Sequence, residues 1–101
     1  MKTLILAVAL TTLPFTAIAE EAVKDKISVC KSLSDLSGRY MTLRQSGTSM
    51  ADIYHTANGD DVIELMIEQA YEVERYNTKK YRDDEIVKFK NEWFLSCIKS
   101  K

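Results

Sequence analysis

The stretch RQSGTSMAD, residues 44–52, decides how the chain folds, because it holds both an end signal and a start signal for helices. Gly47 is typical of a helix end, since glycine adopts the left-handed conformation after the last turn without a Cβ clash. Ser49, followed three residues later by Asp52, has the spacing of a capping box, whose side-chain oxygens accept hydrogen bonds from free backbone amides. The stretch therefore predicts a joint between two helices.

Upstream of this joint, apolar and small residues recur at alternating steps of four and three. This period places them on one face and predicts a first helix over about residues 22–45. The inner line of that face comprises Val23, Ile27, Cys30, Ser34, Ser37 and Met41, and the residues that widen it are Val29, Leu33, Leu36, Tyr40 and Leu43.

Downstream of the joint, two further helices are predicted. The first of them is short, about residues 50–57, because the following Asn58 and Gly59 both accept left-handed backbone. Asp61 repeats the capping-box spacing with an acidic residue three positions later, and opens a third helix that extends to about Tyr76. The residues expected to face the core from these two helices are Met50, Ile53, Tyr54, Ile63, Met66, Ile67, Ala70 and Val73.

The last helix is expected to begin after Thr78, whose hydroxyl can cap it, and to end at about Lys99. No strand-like alternation interrupts the helical pattern between residues 20 and 101. The predicted fold class is therefore all-α, a compact bundle of four helices in which the second is short. The residues expected to face the core from the last helix are Ile86, Phe89, Trp93, Phe94 and Cys97.

The first residues have the pattern of a signal peptide. Lys2 precedes an apolar run, residues 4–13, and Ala17-Ile18-Ala19 is a small-x-small site for cleavage after Ala19. We therefore divide the chain into a signal peptide, residues 1–19, and a single helical domain, residues 20–101. The run is shorter than a membrane-spanning helix requires, so we expect a periplasmic or secreted protein without stable membrane insertion after signal cleavage. An uncleaved anchor is the alternative.

The chain has two cysteines, Cys30 and Cys97, and an exported chain meets an oxidising compartment. We predict one disulfide between the first and last helices, with two free thiols as the alternative. Each cysteine lies at a similar distance from the loop end of its helix, so a bridge requires these helices to be antiparallel. The bridge is expected near the end that carries both termini, with Trp93 and Ile27 packed one turn further in.

Charge and side-chain chemistry argue against nucleic-acid binding and catalysis. Residues 20–101 carry 13 basic and 15 acidic residues, a net charge of −2, so we expect no nucleic-acid partner. His55 is the one histidine, and neither a Ser-His-Asp relay nor a metal site with three or four ligands can be assembled around it. No glycine-rich phosphate loop occurs. We predict no catalytic residue, no metal and no cofactor, and expect the protein not to be an enzyme.

Two charged features have both a structural and a functional interpretation. Glu64, Glu68 and Glu72 repeat every four residues, which is most simply a solvated face, with ligand binding as the alternative. Arg44 suits the negative end of the first helix and can bond its last carbonyls. That role leaves Gln45 unexplained, so recognition of a partner by the Arg44-Gln45 pair stays open.

Tyrosines suggest a second candidate binding surface. The stretch RYNTKKYR, residues 75–82, combines four basic residues with Tyr76 and Tyr81 at the corner between the last two helices. Such a composition can meet phosphates, sugars or an acidic protein surface, and a polar corner with both rings packed flat is the alternative. With Tyr71, these two tyrosines are the candidate residues for an exposed aromatic patch.

Short motifs spread over most of the domain resemble those of a known group of proteins. The positions concerned are Cys30, Arg44-Gln45-x-Gly47-x-Ser49, Ala70-Tyr71, Phe89 and Cys97. They are similar to those of a loose group of small exported proteins of unknown function from Gram-negative bacteria and their prophages. The resemblance implies the helical fold and export, and it brings no activity with it.

The function expected from these features is that of a non-enzymatic interaction module that binds an unidentified protein of the cell envelope. Such a module needs a contiguous exposed apolar or aromatic patch. The alternative is a periplasmic stress chaperone of the small single-disulfide helical type, which would have to open at low pH. An enzyme would need a cleft with perturbed titrating groups, and the sequence does not supply them.

Overall fold

A computed structural model describes the backbone of residues 2–100 and the side chains of residues 22–100. No strand occurs in residues 2–100, so the all-α prediction with a short second helix is confirmed. The predicted signal peptide, residues 1–19, and its cleavage site lie outside the residues whose side chains are described. The helices are α1 (Lys2–Ser46), α2 (Met50–Ile53), α3 (Asp61–Glu72) and α4 (Lys79–Lys99), and a 3₁₀ turn (Tyr54–Ala57) continues α2.

The joint between α1 and α2 forms at the predicted place, with the serine half of the predicted capping box and no bond to the Asp52 carboxylate among the described residues. Gly47 follows the last residue of α1 and has a φ of +91°. The Thr48 amide donates to the Leu43 carbonyl over 3.0 Å, a bond that satisfies a carbonyl of the last turn. Ser49 is the N-cap of α2, and its hydroxyl accepts from the Ala51 amide over 3.2 Å. The start of α1 differs from the prediction, because the helix begins at Lys2 and not near residue 22.

Helix α3 differs from its prediction at both ends. Its N-cap is Asp60 and not Asp61, because an Asp60 carboxylate oxygen accepts from the amides of Val62 and Ile63 over 2.9 and 3.2 Å. The helix ends at Glu72, four residues before the predicted end, and the next residue is extended. The carbonyls of residues 73 and 74 and the amide of residue 76 form hydrogen bonds with side chains of α1. The cap of α4 is Thr78, as predicted.

The core forms where α3 and α4 pack on α1. Helix α4 is antiparallel to α1. Cys30 is bonded to Cys97, and four residues later in α1 the Ser34 hydroxyl donates to the carbonyl of Lys90, which comes earlier in α4. Helix α3 runs in the same direction as α1. Burial of large apolar side chains in this core is the main stabilising term. The buried cluster comprises Tyr40, Met41, Ile53, Ala57, Met66, Ile67, Ala70 and Phe89.

The predicted disulfide joins α1 to α4, with 5.4 Å between the Cα atoms of Cys30 and Cys97. Trp93 packs against the core one turn inside the bridge, as predicted. The prediction for Ile27 is wrong, because this residue lies on the outer side of the bridge and is 47% exposed. Helix α4 ends at Lys99, so the face of α1 before Cys30 has no helix to cover it.

Helices α3 and α4 make few contacts with each other, although both pack on α1. Because α3 and α4 both pack on α1 and hardly contact each other, a groove remains between them. This groove is a concave surface lined by residues of both helices. Within the described part of the chain, none of the helices combines the length and the apolarity needed to cross a membrane.

Candidate functional site

The groove between α3 and α4 has a volume of about 380 Å³ and continues into a second space of about 280 Å³ at the disulfide end of the bundle. The two spaces share Val62, Trp93 and Ser96 as lining residues. We call this surface the α3–α4 groove. The other residues that line it are Leu65 and Gln69 from α3, Glu92, Cys97 and Ser100 from the end of α4 and beyond, and Leu33 from α1.

Apolar side chains make up about half of the lining of the α3–α4 groove. Val62 and Leu65 stand one turn apart on α3 and are each about half exposed, at 49% and 48%. The Trp93 ring meets the buried Phe89 ring edge-on, with 6.5 Å between centroids, which fixes its orientation. Glu92 is the one charged residue of the lining. Such a surface can bury apolar side chains of a binding partner, and it presents no nucleophile paired with a base.

Gln45 lies inside the protein, although it also lines a space that Lys79 and Arg82 border. Its side chain is 2% exposed and holds the segment between α3 and α4. The amide nitrogen donates to the Glu74 carbonyl over 2.7 Å, and the amide oxygen accepts from the Tyr76 backbone amide over 2.9 Å. These bonds give a structural reason for glutamine at position 45, which helix capping did not provide. They also explain why α3 stops early, because the backbone groups after it are paired with Gln45.

Arg44 and Tyr71 form a second link beside Gln45. The Arg44 Nε donates to the Val73 carbonyl over 2.8 Å, so the guanidinium bonds the end of α3 and not the last carbonyls of its own helix. Its Cζ lies 5.3 Å from the centroid of the Tyr71 ring. The Tyr71 hydroxyl donates to the Thr48 carbonyl over 2.7 Å. Burial raises the pKa of Tyr71, and the nearby Arg44 opposes that rise. Both side chains thus join α1 to α3.

Tyr76 and Tyr81 are placed together, with 6.2 Å between ring centroids. Tyr81 is 59% exposed, and Lys80 lies over its ring. The cations of this corner have partners within the chain. Lys80 forms an ion pair with Asp84, and Arg82 donates to two carbonyls of the α3–α4 connection. The pairing of the cations agrees with a polar corner, but the exposed Tyr81 ring is not packed flat as that interpretation expects.

The acidic face of α3 makes one specific bond. Glu68 accepts from the Tyr54 hydroxyl over 2.7 Å, which ties the 3₁₀ turn to α3. That hydrogen bond, together with burial and nearby acidic side chains, raises the pKa of Tyr54 to about 12. Glu64 and Glu72 extend the acidic face on either side. His55 is exposed on the 3₁₀ turn. Among the side chains of residues 22–100, no group of three or more histidine, cysteine, aspartate or glutamate residues is placed to hold a metal.

The α3–α4 groove is not predicted by the sequence. Val62 and Leu65 carried the available signal, since they stand three residues apart on a face of α3 other than the one predicted to be inward. Their exposure depends on the spacing of α3 and α4, which no local pattern reports. Compared with known proteins, the chain matches no family model, no curated protein and no solved structure.

Proposed function

We propose that this protein is a small exported interaction module that binds a protein of the bacterial cell envelope through its α3–α4 groove. The observation that carries the proposal is the groove itself, where the half-exposed Val62 and Leu65 stand beside a fixed Trp93. Exposed apolar side chains around an aromatic residue are typical of protein-binding surfaces. The absence of a paired nucleophile and base in the lining supports a binding function over a catalytic one.

The groove has the length and form that suit a helical segment of the partner. The span from Val62 to Gln69 covers eight residues, about 10 Å along the helix axis. That length accommodates two turns of an amphipathic helix, whose apolar face would lie between α3 and α4. The partner's residues would thereby complete a helical layer that α3 and α4 leave open.

We propose that this binding takes place after export, in the periplasm or the medium. A disulfide persists in an oxidising compartment, and the pattern of residues 1–19 is that of a cleaved leader. We therefore expect a mature protein that starts at Glu20 and is recovered from the periplasm or the medium. Intact-mass measurement of the exported protein tests this expectation, and a mass that retains residues 1–19 would exclude the leader.

Site-specific photo-crosslinking tests the binding function. A photoreactive amino acid placed at Leu65 should give a discrete adduct with one envelope protein in intact cells. The same group at Val87 is the control, because Val87 is similarly exposed, at 56%, and does not line the groove. Leu65→Glu in the otherwise unmodified protein should abolish copurification of the captured protein, whereas Val87→Glu should not. Equal adducts from both positions, or none from Leu65, would contradict the proposal.

A periplasmic stress chaperone is the second candidate, and the exposed apolar side chains of the groove support it as well. A chaperone of this type would hold many unfolded clients, whereas a module binds one partner. Its activity is expected only well below neutral pH, where carboxylates become protonated. The test is the aggregation of model clients at about pH 2–3, a range below the ordinary pKa of carboxyl groups. Equal aggregation with and without the protein would exclude this candidate.

A further inference from the structure

Residues 22–29 of α1 carry an apolar face that no other side chain of residues 22–100 covers. Every side chain of residues 22–29 is exposed. Val23 and Ile27 are 60% and 47% exposed, although they continue the line that is buried from Cys30 onward. Lys26 donates to the carbonyl of Ser100, which marks the level at which α4 ends. We call residues 22–29 the α1 overhang.

The α1 overhang and the α3–α4 groove lie at the same end of the molecule. The groove opens beside Cys97 and Ser100, and the overhang projects past these residues from the disulfide onward. The overhang and the groove wall from Val62 to Gln69 each comprise eight helical residues, so each spans about 10 Å. An uncovered apolar helix of two turns and an open apolar groove of two turns therefore occur in one chain.

The charges of the two surfaces are complementary. Helix α3 carries four acidic residues and no basic residue, but none of the four lines the groove, and Asp61, Glu64 and Glu68 lie near Tyr54. The one charged residue that lines the groove is Glu92. The overhang carries Lys24 and Lys26 against a single acidic residue, Asp25. A lysine-bearing apolar helix placed in this groove would bring opposite charges together, which favours association and orients the two surfaces.

We propose that two copies of this chain form a symmetric dimer in which the α1 overhang of each copy occupies the α3–α4 groove of the other. The arrangement uses the same two surfaces on both copies, so it closes with two-fold symmetry and leaves neither surface exposed. The overhang cannot enter the groove of its own copy, because α1 continues out of the bundle as a helix. This inference goes beyond the proposed function and shares with it the premise that the groove binds a helix. A second copy and an envelope partner would compete for the same surface.

The first test is sedimentation velocity of the oxidised exported protein over micromolar to millimolar concentrations. We expect a monomer-dimer equilibrium. The double variant Val23→Glu with Ile27→Glu should weaken dimerisation by about tenfold or more, and so should Leu65→Glu. Val87→Glu is the matched control and should leave the dimer unchanged. All these side chains are exposed in the monomer, so circular dichroism should show unaltered folding. A monomer at every concentration, or a dimer that the variants do not weaken, would overturn the proposal.

Mixing the overhang variant with the groove variant tests the exchange itself. The overhang variant keeps an intact groove, and the Leu65→Glu variant keeps an intact overhang, so one complete overhang-groove contact remains in the mixed dimer. The mixture should associate more tightly than either variant alone. If overhang contacted overhang, or groove contacted groove, the mixture would show no such gain. That result would refute the exchange. Trp93 is the only tryptophan of the chain and lines the groove, so its emission should shift to shorter wavelength as the dimer forms.

The outcome separates this inference from the proposed function. A strictly monomeric protein that still crosslinks to an envelope protein from Leu65 would refute the dimer and leave the interaction module intact. A dimer without any such adduct would refute the module as proposed and leave the dimer standing.

Discussion

Removing the hydrogen bonds of Gln45 should destabilise the whole bundle. Gln45→Met keeps the size and length of the side chain but leaves the Glu74 carbonyl and the Tyr76 amide without the partners they now have at 2.7 and 2.9 Å. Both groups are partly buried, and a lost bond of this kind costs about 1–1.5 kcal/mol. We therefore expect a loss of about 2–3 kcal/mol in the free energy of unfolding, or a drop in Tm of about 10–20 °C for a domain of this size.

Urea denaturation followed by circular dichroism measures this loss, with the disulfide kept oxidised. Gln69→Met is the matched control, because Gln69 is exposed, and its substitution should change stability by less than about 0.5 kcal/mol. If the Gln45 and Gln69 variants unfold at the same urea concentration, the two bonds contribute nothing net. The account of Gln45 as the link between α1 and the α3–α4 connection would then be wrong.

Gln45→Glu separates the donor from the acceptor function of the side chain. A carboxyl group can still accept from the Tyr76 amide, but only its protonated form can donate to the Glu74 carbonyl. Folding should therefore raise the pKa of this carboxyl above its unfolded value of about 4.3. Its stabilising contribution would be fully present below about pH 4.3 and would be lost as pH rises through the raised pKa. Gln45→Met should lack this dependence.

Three further outcomes are expected. Reduction of the disulfide should destabilise the domain by about 4 kcal/mol on the chain-entropy model, and a melting curve unmoved after mass spectrometry confirms reduction would contradict that value. Tyr54 should ionise at a pKa of about 12, and Glu68→Gln should lower that pKa in an alkaline titration followed by tyrosinate absorbance. Because the pKa is raised in the folded state, this stabilisation is present below about pH 10 and is lost as pH rises toward 12. An alanine in left-handed backbone lowers the free energy of unfolding by about 1–2 kcal/mol. Gly47→Ala should lower it by more, because the new Cβ would lie 3.0 Å from the Arg75 guanidinium carbon. Gly59→Ala is the control in urea denaturation, since it has a similar φ and open space, and equal losses would show that Arg75 moves aside freely.

The sequence by itself determined the helices and most of their ends. Gly47, Ser49 and Thr78 act within one turn of their own position, through backbone conformation or a short side-chain bond. Such signals depend on neighbours in the chain and can be interpreted without a structure. The sequence also predicted the pairing of Cys30 with Cys97, although they are 67 residues apart, because no other cysteine is present and similar distances from the loops suit antiparallel helices.

Tertiary structure alone decided the end of α3, the role of Gln45 and the existence of the groove. Helix α3 ends early because a side chain from a residue about 30 positions earlier pairs with the backbone after it, and local propensity contains no information about that partner. Ile27 has the same spacing as the buried residues of its face, yet it is exposed because α4 ends opposite the next turn. The groove exists because α3 and α4 both rest on α1 at a separation set by the packing of all three helices. A periodic pattern shows that a side chain is apolar and which side of its helix it occupies, whereas its burial depends on whether another element reaches it.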